Sequence, residues 1–471
     1  MISETLCLSP RLTRTFSSLI YVKTKGNPLF VSRLLRSLNK EGLLRPSLSQ
    51  RRWEWDERKI RSRSLPEDVA IFLTESLGEL PQKVQSALFV LSCFGASSES
   101  AFVESQGLDR DILENLDIAV AEGFVEKKDD QYRFAHDRIQ EAAYNTVSPL
   151  KRCLVHFNYG LELSSLLIED EDANDSVLFT AVNQLNLGGP PAVQDHSQYL
   201  TAAKLNLRAG KKAMGMSDYE IAYSYFDSGI SFLRKKHWQE HYTLSLELFG
   251  LAAKCALTKG DHVSLKHLTD EVVTKAHFFE DKLEVLYFDM CALAYSSRLT
   301  ESIETGLGIL SKLGIEVKGT NINACVQETK DLLSGHTDDE ILNSKQMTHP
   351  TMIMAMKFLG KLEMGMTQVM PKSVPYVTQR IIQLSLSHGL SPVSPIGFVH
   401  FGSYIAKLGD ISGGYHYVKL ARSLLDKVGS RESAGEVICV GAQVVLYVEP
   451  LQAAVEHNSD GYAAAMAFGD V

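Results

Sequence analysis

From about residue 150 onward, apolar residues recur at helical spacing in faces that each follow a small polar turn. Ala222, Phe226, Ile230 and Leu233 form one face, Leu265, Leu268, Val272 and Ala276 a second, and Leu299, Ile303, Leu307 and Leu310 a third. The turns before them are Ser217-Asp218, Gly260-Asp261 and Arg298-Leu299-Thr300, and they return about every 40 residues, a repeat period. Gly409-Asp410 falls near three further periods on. A helical hairpin of this size cannot bury its apolar face alone, so its neighbours must stack on it. The chain is thereby held to a helical array with a long curved surface suited to protein partners.

A period of this length built from helix pairs predicts a tetratricopeptide-like α-solenoid over residues 149–471, truncated at its C-terminus. The repeats are degenerate, because the Trp and Pro positions of that pattern are mostly absent. Residues 314–350 read as a looser, polar interruption. Met352, Met354, Met356, Met364, Met366 and Met370 suit either an adaptable groove or helical core packing, and core packing is the reading adopted. Only 14 prolines in 471 residues are compatible with long helices.

The first half is organised differently. Residues 1–45 are helical with short breaks, and Phe30, Leu34, Leu35 and Leu38 follow the break Gly26-Asn27-Pro28 at helical spacing. Pro28 suits the first turn of that helix. Residues 46–64 are basic (Arg51, Arg52, Arg58, Lys59, Arg61, Arg63) and read as a linker anchored by Trp53 and Trp55 rather than a nucleic-acid arm. Residues 65–148 combine two amphipathic helices, marked by Val84, Ala87, Leu88 and Leu91 and by Ile112, Leu116 and Ala119, with a hairpin around Asp129-Asp130. Helices followed by a small wing predict a winged helix. The helix before the wing carries Asp109, Asp111, Glu114, Asp117 and Glu122 against Arg110, a charge that phosphates repel. Such a domain would touch protein, not DNA. The net charge of −9 points the same way.

Seven scattered cysteines without a CxxC pair suit reduced thiols, and the absence of a long apolar run gives no membrane span. A cytoplasmic location follows as an expectation. Neither terminus resembles a domain edge: MISETLCLSPRLTRTF has no signal-peptide core and AAAMAFGDV stops after a helical stretch, so both read as cut.

The chemistry-bearing patterns are few. His237, Glu240 and His241 satisfy HxxEH, which on a helix puts both histidines on one face for zinc. The third ligand is missing, and surface His and Glu between repeat helices account for the pattern. His136-Asp137-Arg138 contains an HD pair; a start for the helix holding Ile139, Ala143 and Val147, with Asp137 at its N-terminus, is the reading adopted. No catalytic residue and no metal ligand set is assigned. No GxxxxGKS/T occurs, since Gly210-Lys211-Lys212 and Gly360-Lys361 lack the upstream glycines, and Gly306-Leu307-Gly308 lacks the third glycine of a dinucleotide loop.

Four stretches together carry a family resemblance. Thr24-Lys25-Gly26-Asn27-Pro28-Leu29-Phe30-Val31 resembles the TKGNPFFV segment of STAND-type AAA ATPases related to origin-recognition proteins, with Leu29 in place of Phe. Trp53-Glu54-Trp55 resembles the W-x-W those proteins carry after the lid. The run Phe134 to Tyr144 is similar to FxHDRxQxAAY, and Leu205 to Ala213 to LNLxAGxKA. Leu384 to Gly389 loosely resembles LSLxHG.

The combination is similar to the ATPase region of large multidomain sensor serine/threonine and histidine kinases. The resemblance implies a mainly α chain: an AAA lid remnant (1–45), a winged helix with a small β-hairpin (65–148), then the tetratricopeptide-like solenoid. It also implies that the P-loop, ATP and Mg belong to an intact parent and lie upstream of Met1. Gly26, Asn27 and Pro28 match the lid segment near the nucleotide, while His136, Asp137 and Arg138 match a structural motif. The expected function is a non-catalytic regulatory and protein-interaction portion of a signalling ATPase, with no cofactor of its own. A stand-alone helical scaffold and, further off, a zinc hydrolase are the alternatives.

Overall fold

The computed structural model describes residues 1–48, 51–62, 69–95, 97–99, 111–167 and 175–468. Arg63, Asp109 and Arg110, which entered the sequence argument, lie outside them. The chain divides into two compact units, Met1–Tyr199 and Leu200–Val471.

The first unit opens with helices Pro10–Thr24 and Pro28–Lys40. Their corner is built by the Gly26-Asn27-Pro28 break. Lys25 ends the first helix in the left-handed conformation (φ 50°) and Gly26 follows at φ +78°. The Asn27 side chain then accepts the Phe30 amide at 3.1 Å, and Pro28 fills the first turn, where no amide is needed. Phe16, Leu19, Ile20, Leu34 and Leu38 meet beneath this corner.

The described residues of the expected linker, 46–48 and 51–62, are mostly in regular elements. Leu44–Ser47 and Arg52–Trp55 pair as an antiparallel hairpin, with Leu44 opposite Trp55, and helix Glu57–Ser62 follows. Ile60 is fully buried in the same core, Trp53 and Trp55 pack on it, and Phe16 stacks on Trp55 at 4.8 Å. The two-residue alternation of Trp53 and Trp55 puts both indoles on the inner face of the ribbon. Basic composition concealed that alternation.

Helices Val69–Gly78, Gln82–Cys93 and Ile112–Ala121 come next, then strands Val125–Lys128 and Gln131–Phe134 and helix Asp137–Asn145. The hairpin gains a third strand, Ser97–Glu99, so Gln131–Phe134 is central. Tyr132 and Phe134 point inward with Leu88, Leu91, Leu116 and Ile139. Helices Pro149–Leu166 and Asp175–Gly188, where the repeats were expected to begin, fall within this first compact unit. Tyr159 is buried in the core of the preceding helices, and Gln184 donates to the Cys93 carbonyl at 3.0 Å.

The second unit is mainly α, a series of helices packed chiefly on their neighbours in sequence. Its turns repeat one backbone device. Ser217, Gly260, Ser297 and Gly409 all have positive φ. After each, the next amide bonds back five residues: Asp218 to Ala213, Asp261 to Ala256, Arg298 to Leu293 and Asp410 to Ile405, at 2.9–3.0 Å. This left-handed close satisfies the last carbonyls of one helix. Asp218, Asp261 and Asp410 then accept the amides of Ile221, Ser264 and Gly413, all at 3.0 Å, and so start the next helix. At 217–218, 260–261 and 409–410 one residue pair thus ends one helix and begins the next.

Residues 314–350 are more ordered than their polarity suggested. They contain helices Ile322–Ser334 and Asp338–Leu342, the latter opened by a capping box between Thr337 and Glu340. Cys325, Val326, Thr329 and Leu333 are buried, at the spacing of one helical face. Of the six methionines, Met356 and Met366 are core residues, Met352, Met354 and Met364 are partly buried, and Met370 is exposed.

Candidate functional site

Helix Pro350–Val369 turns Leu359, Leu362 and Met366 into the core of the second unit, and Glu363 on the same side is fully buried with them. Helix Ser394–Lys407 brings His400 to it, between the buried Val399 and Phe401, and helix Ala434–Val445 brings Glu436. The imidazole bridges the two acids. Nδ1 lies 2.7 Å from Glu363 Oε1, and Nε2 lies 2.9 Å from Glu436 Oε1. Thr367 Oγ1 also donates to Glu363 Oε1 at 3.1 Å.

Charges taken out of water are costly unless paired. Burial alone would push the Glu363 carboxyl up, but the His400 charge and hydrogen bonds outweigh it and hold the group below its ordinary range. Burial would likewise lower His400, yet the two carboxylates raise it to about 9. Glu436 is raised to about 7, by burial first and by the nearby Glu363 carboxylate. The cluster therefore carries an imidazolium between two acids near neutral pH, one of them close to sharing a proton. Glu436 also faces a cleft of about 190 Å³, lined by Tyr287, Tyr295, Lys357, Lys361 and Glu432 among others.

The residues singled out in the sequence fall elsewhere and are not brought together. Gly26, Asn27 and Pro28 form the helix corner described above. His136 is the N-cap of helix Asp137–Asn145: its Nδ1 accepts the Arg138 amide at 3.1 Å. Asp137 sits in the first turn, where its charge suits the helix dipole, and Arg138 pairs with Glu141 at 2.7 Å. All three are exposed.

The HxxEH pattern does not make a zinc face. The helix His237–Glu240 ends before His241, which has φ −137° and ψ 49°, so the two histidines are not one helical turn apart. His237 Nδ1 is instead 2.8 Å from Ser245 Oγ, and its ring stacks on Phe249 at 5.9 Å. Among the described residues, Glu363, His400 and Glu436 are the one group of three potential metal-ligating side chains gathered together.

Sequence reading missed this cluster because its members lie on three different helices and form no local motif. They are, however, about one repeat apart, so equivalent inward positions of successive repeats supply them. A titratable residue recurring at the repeat period on a buried face was the available signal.

The fold defines the class: a helical-repeat protein in which a mixed first unit precedes an α-helical array. No family model matches the chain. Hybrid signal transduction histidine kinase G of Dictyostelium discoideum is 23% identical to it over 513 aligned residues, which take in 91% of this chain and 15% of the kinase. The chain thus spans about 15% of the length of that relative. A solved structure from Pyrococcus horikoshii, of a signal transduction ATPase with numerous domains and a tetratricopeptide repeat sensor, aligns over 95% of this chain and 65% of its own, with a TM-score of 0.36 and 12% identity. Among the described residues, no helix is long and apolar enough to cross a membrane.

Proposed function

We propose that this chain is the regulatory, protein-interacting portion of a STAND-type signalling ATPase linked to a kinase. Residues 1–45 correspond in this reading to the end of an AAA lid, residues 65–148 to a winged helix, and the repeats to the arm that senses a partner. The observation that carries the proposal is the recurring turn of the second unit, a left-handed residue followed by a helix-starting one at 217–218, 260–261, 297–298 and 409–410. It stacks helices in series and leaves one face of each repeat to partners. The similarity to a hybrid histidine kinase across nine-tenths of the chain supports the link to kinase signalling.

The arm would work by biasing a switch. A partner that binds one arrangement of the arm more tightly shifts the population toward it. In this reading the chain is not itself an enzyme, acts in the cytoplasm, binds protein rather than nucleic acid, and leaves ATP and Mg to a P-loop half. Gly26, Asn27 and Pro28 then shape the lid corner near the nucleotide's base. Sequencing the genomic DNA upstream of Met1 tests the assignment. The proposal expects an open frame that encodes a P-loop and an acidic strand; a stop codon in frame immediately upstream, with no such half, would overturn it.

A further inference from the structure

We propose that Glu363, His400 and Glu436 form a binding site for one divalent transition-metal ion of the zinc class. One potential ligand atom from each residue lies within 4.8 Å of the others. A second observation points to a ligand. Glu363 is fully buried, and while its Oε1 meets His400 and Thr367, its Oε2 is buried without a hydrogen-bond partner. A carboxylate oxygen so far from water is strongly disfavoured until positive charge or a donor reaches it.

The spacing is close to what an ion needs. Nitrogen and oxygen ligands sit about 2.0–2.2 Å from zinc. An ion takes one imidazole nitrogen, so it would enter one of two gaps, 2.7 Å between Nδ1 and Glu363 or 2.9 Å between Nε2 and Glu436, and the second carboxylate would turn toward it. An imidazole with two carboxylates suits zinc and its neighbours better than magnesium or calcium, which prefer oxygen-only shells. Glu436 opens on the cleft beside it, which gives a route for the ion and an open coordination position.

The competing state is the same cluster holding protons alone, and metal uptake at the cluster would displace them. The test uses the full chain stripped with EDTA and titrated calorimetrically with zinc chloride, with magnesium chloride as the contrast. The expected result is one zinc per chain, retained on desalting, a rise in melting temperature, and no magnesium uptake. Glu436→Gln and His400→Gln should each weaken zinc binding at least tenfold, while His237→Ala leaves it unchanged. Where a variant fails to fold, cobalt added to the unaltered chain should give the visible absorption of a nitrogen- and oxygen-bound ion. A folded chain that takes up no stoichiometric zinc would overturn the proposal, as would uptake that both cluster variants leave intact.

Discussion

The Tyr144 hydroxyl donates to His156 Nε2 at 2.9 Å, joining helix Asp137–Asn145 to helix Pro149–Leu166. The contact continues inward: His156 Nδ1 lies 2.6 Å from Gln184 Oε1, and Gln184 Nε2 donates to the Cys93 carbonyl. Gln184 Oε1 can only accept, so Nδ1 carries the proton and neutral Nε2 receives the tyrosine's. A residue of the FxHDRxQxAAY stretch thus fastens the helix pair 149–188 to the domain before it.

Protonation should loosen that joint. Burial first, and Arg152 nearby, hold His156 below the ordinary histidine value of 6.5 despite the Gln184 bond. The unfolded chain therefore binds the proton more readily, and the stability contributed by neutral His156 is present above pH 6.5 and lost as pH falls through 6.5 toward the folded value. Urea unfolding of the wild type and His156→Gln at pH 7.5 and 5.5 should show a smaller acid-induced loss in the variant. Equal losses would contradict the assignment.

Arg33 should be hard to replace. From helix Pro28–Lys40 its guanidinium donates to the carbonyls of Glu122, at 3.0 Å, and Gly123, and lies 3.8 Å over the Phe124 ring. Burial, followed by the like charge of Arg36, lowers its pKa to about 10, so it remains charged at neutral pH. It thereby meets the C-terminal carbonyls of helix Ile112–Ala121 with positive charge. Arg33→Ala should cost about 2 kcal/mol in denaturant unfolding, because charged hydrogen bonds are lost and the Gly123 carbonyl is left unmet, while Glu122 still accepts from Arg36. Arg33→Lys should restore little, since an ammonium cannot span both carbonyls.

The repeated turns predict a matched set of effects. Asp218→Ala and Asp261→Ala should each lower stability by about 1 kcal/mol, the usual loss of an N-cap. Arg298 occupies the equivalent position without a side-chain cap and pairs instead with Glu301, so Arg298→Asp, which exchanges that exposed ion pair for a cap, should change stability by less than about 1 kcal/mol. Melting of the three variants reads the difference.

Helices Ser394–Lys407 and Ile411–Val428 touch through two glycines. A Cβ on Gly402 would lie 2.6 Å from the Gly414 carbonyl oxygen, and one on Gly414 equally close to that of Gly402. Backbone cannot move aside as a side chain can. Gly402→Ala and Gly414→Ala should each cost about 1–3 kcal/mol by overpacking, with the loss read as a lower denaturation midpoint.

The helices of the second unit were legible because their faces repeat at helical spacing and Asp218, Asp261 and Asp410 mark their starts. The boundary at residue 199 was not: Gln184 and Tyr159 make long-range contacts that no local pattern announces. Trp53 and Trp55 were seen but their alternation was overruled by nearby arginines. Ser97–Glu99 is too short to signal a strand before its partner is known. Glu363, His400 and Glu436 stayed hidden because only stacking brings them together, and charged residues on a helix ordinarily face water.

ATP hydrolysis by the purified chain 1–471, in the presence of magnesium, tests the account most directly. The account predicts phosphate release no faster than buffer, because the proposed function places the phosphate-handling residues outside this chain. Sustained turnover that co-purifies with the chain and disappears when it is unfolded would contradict it.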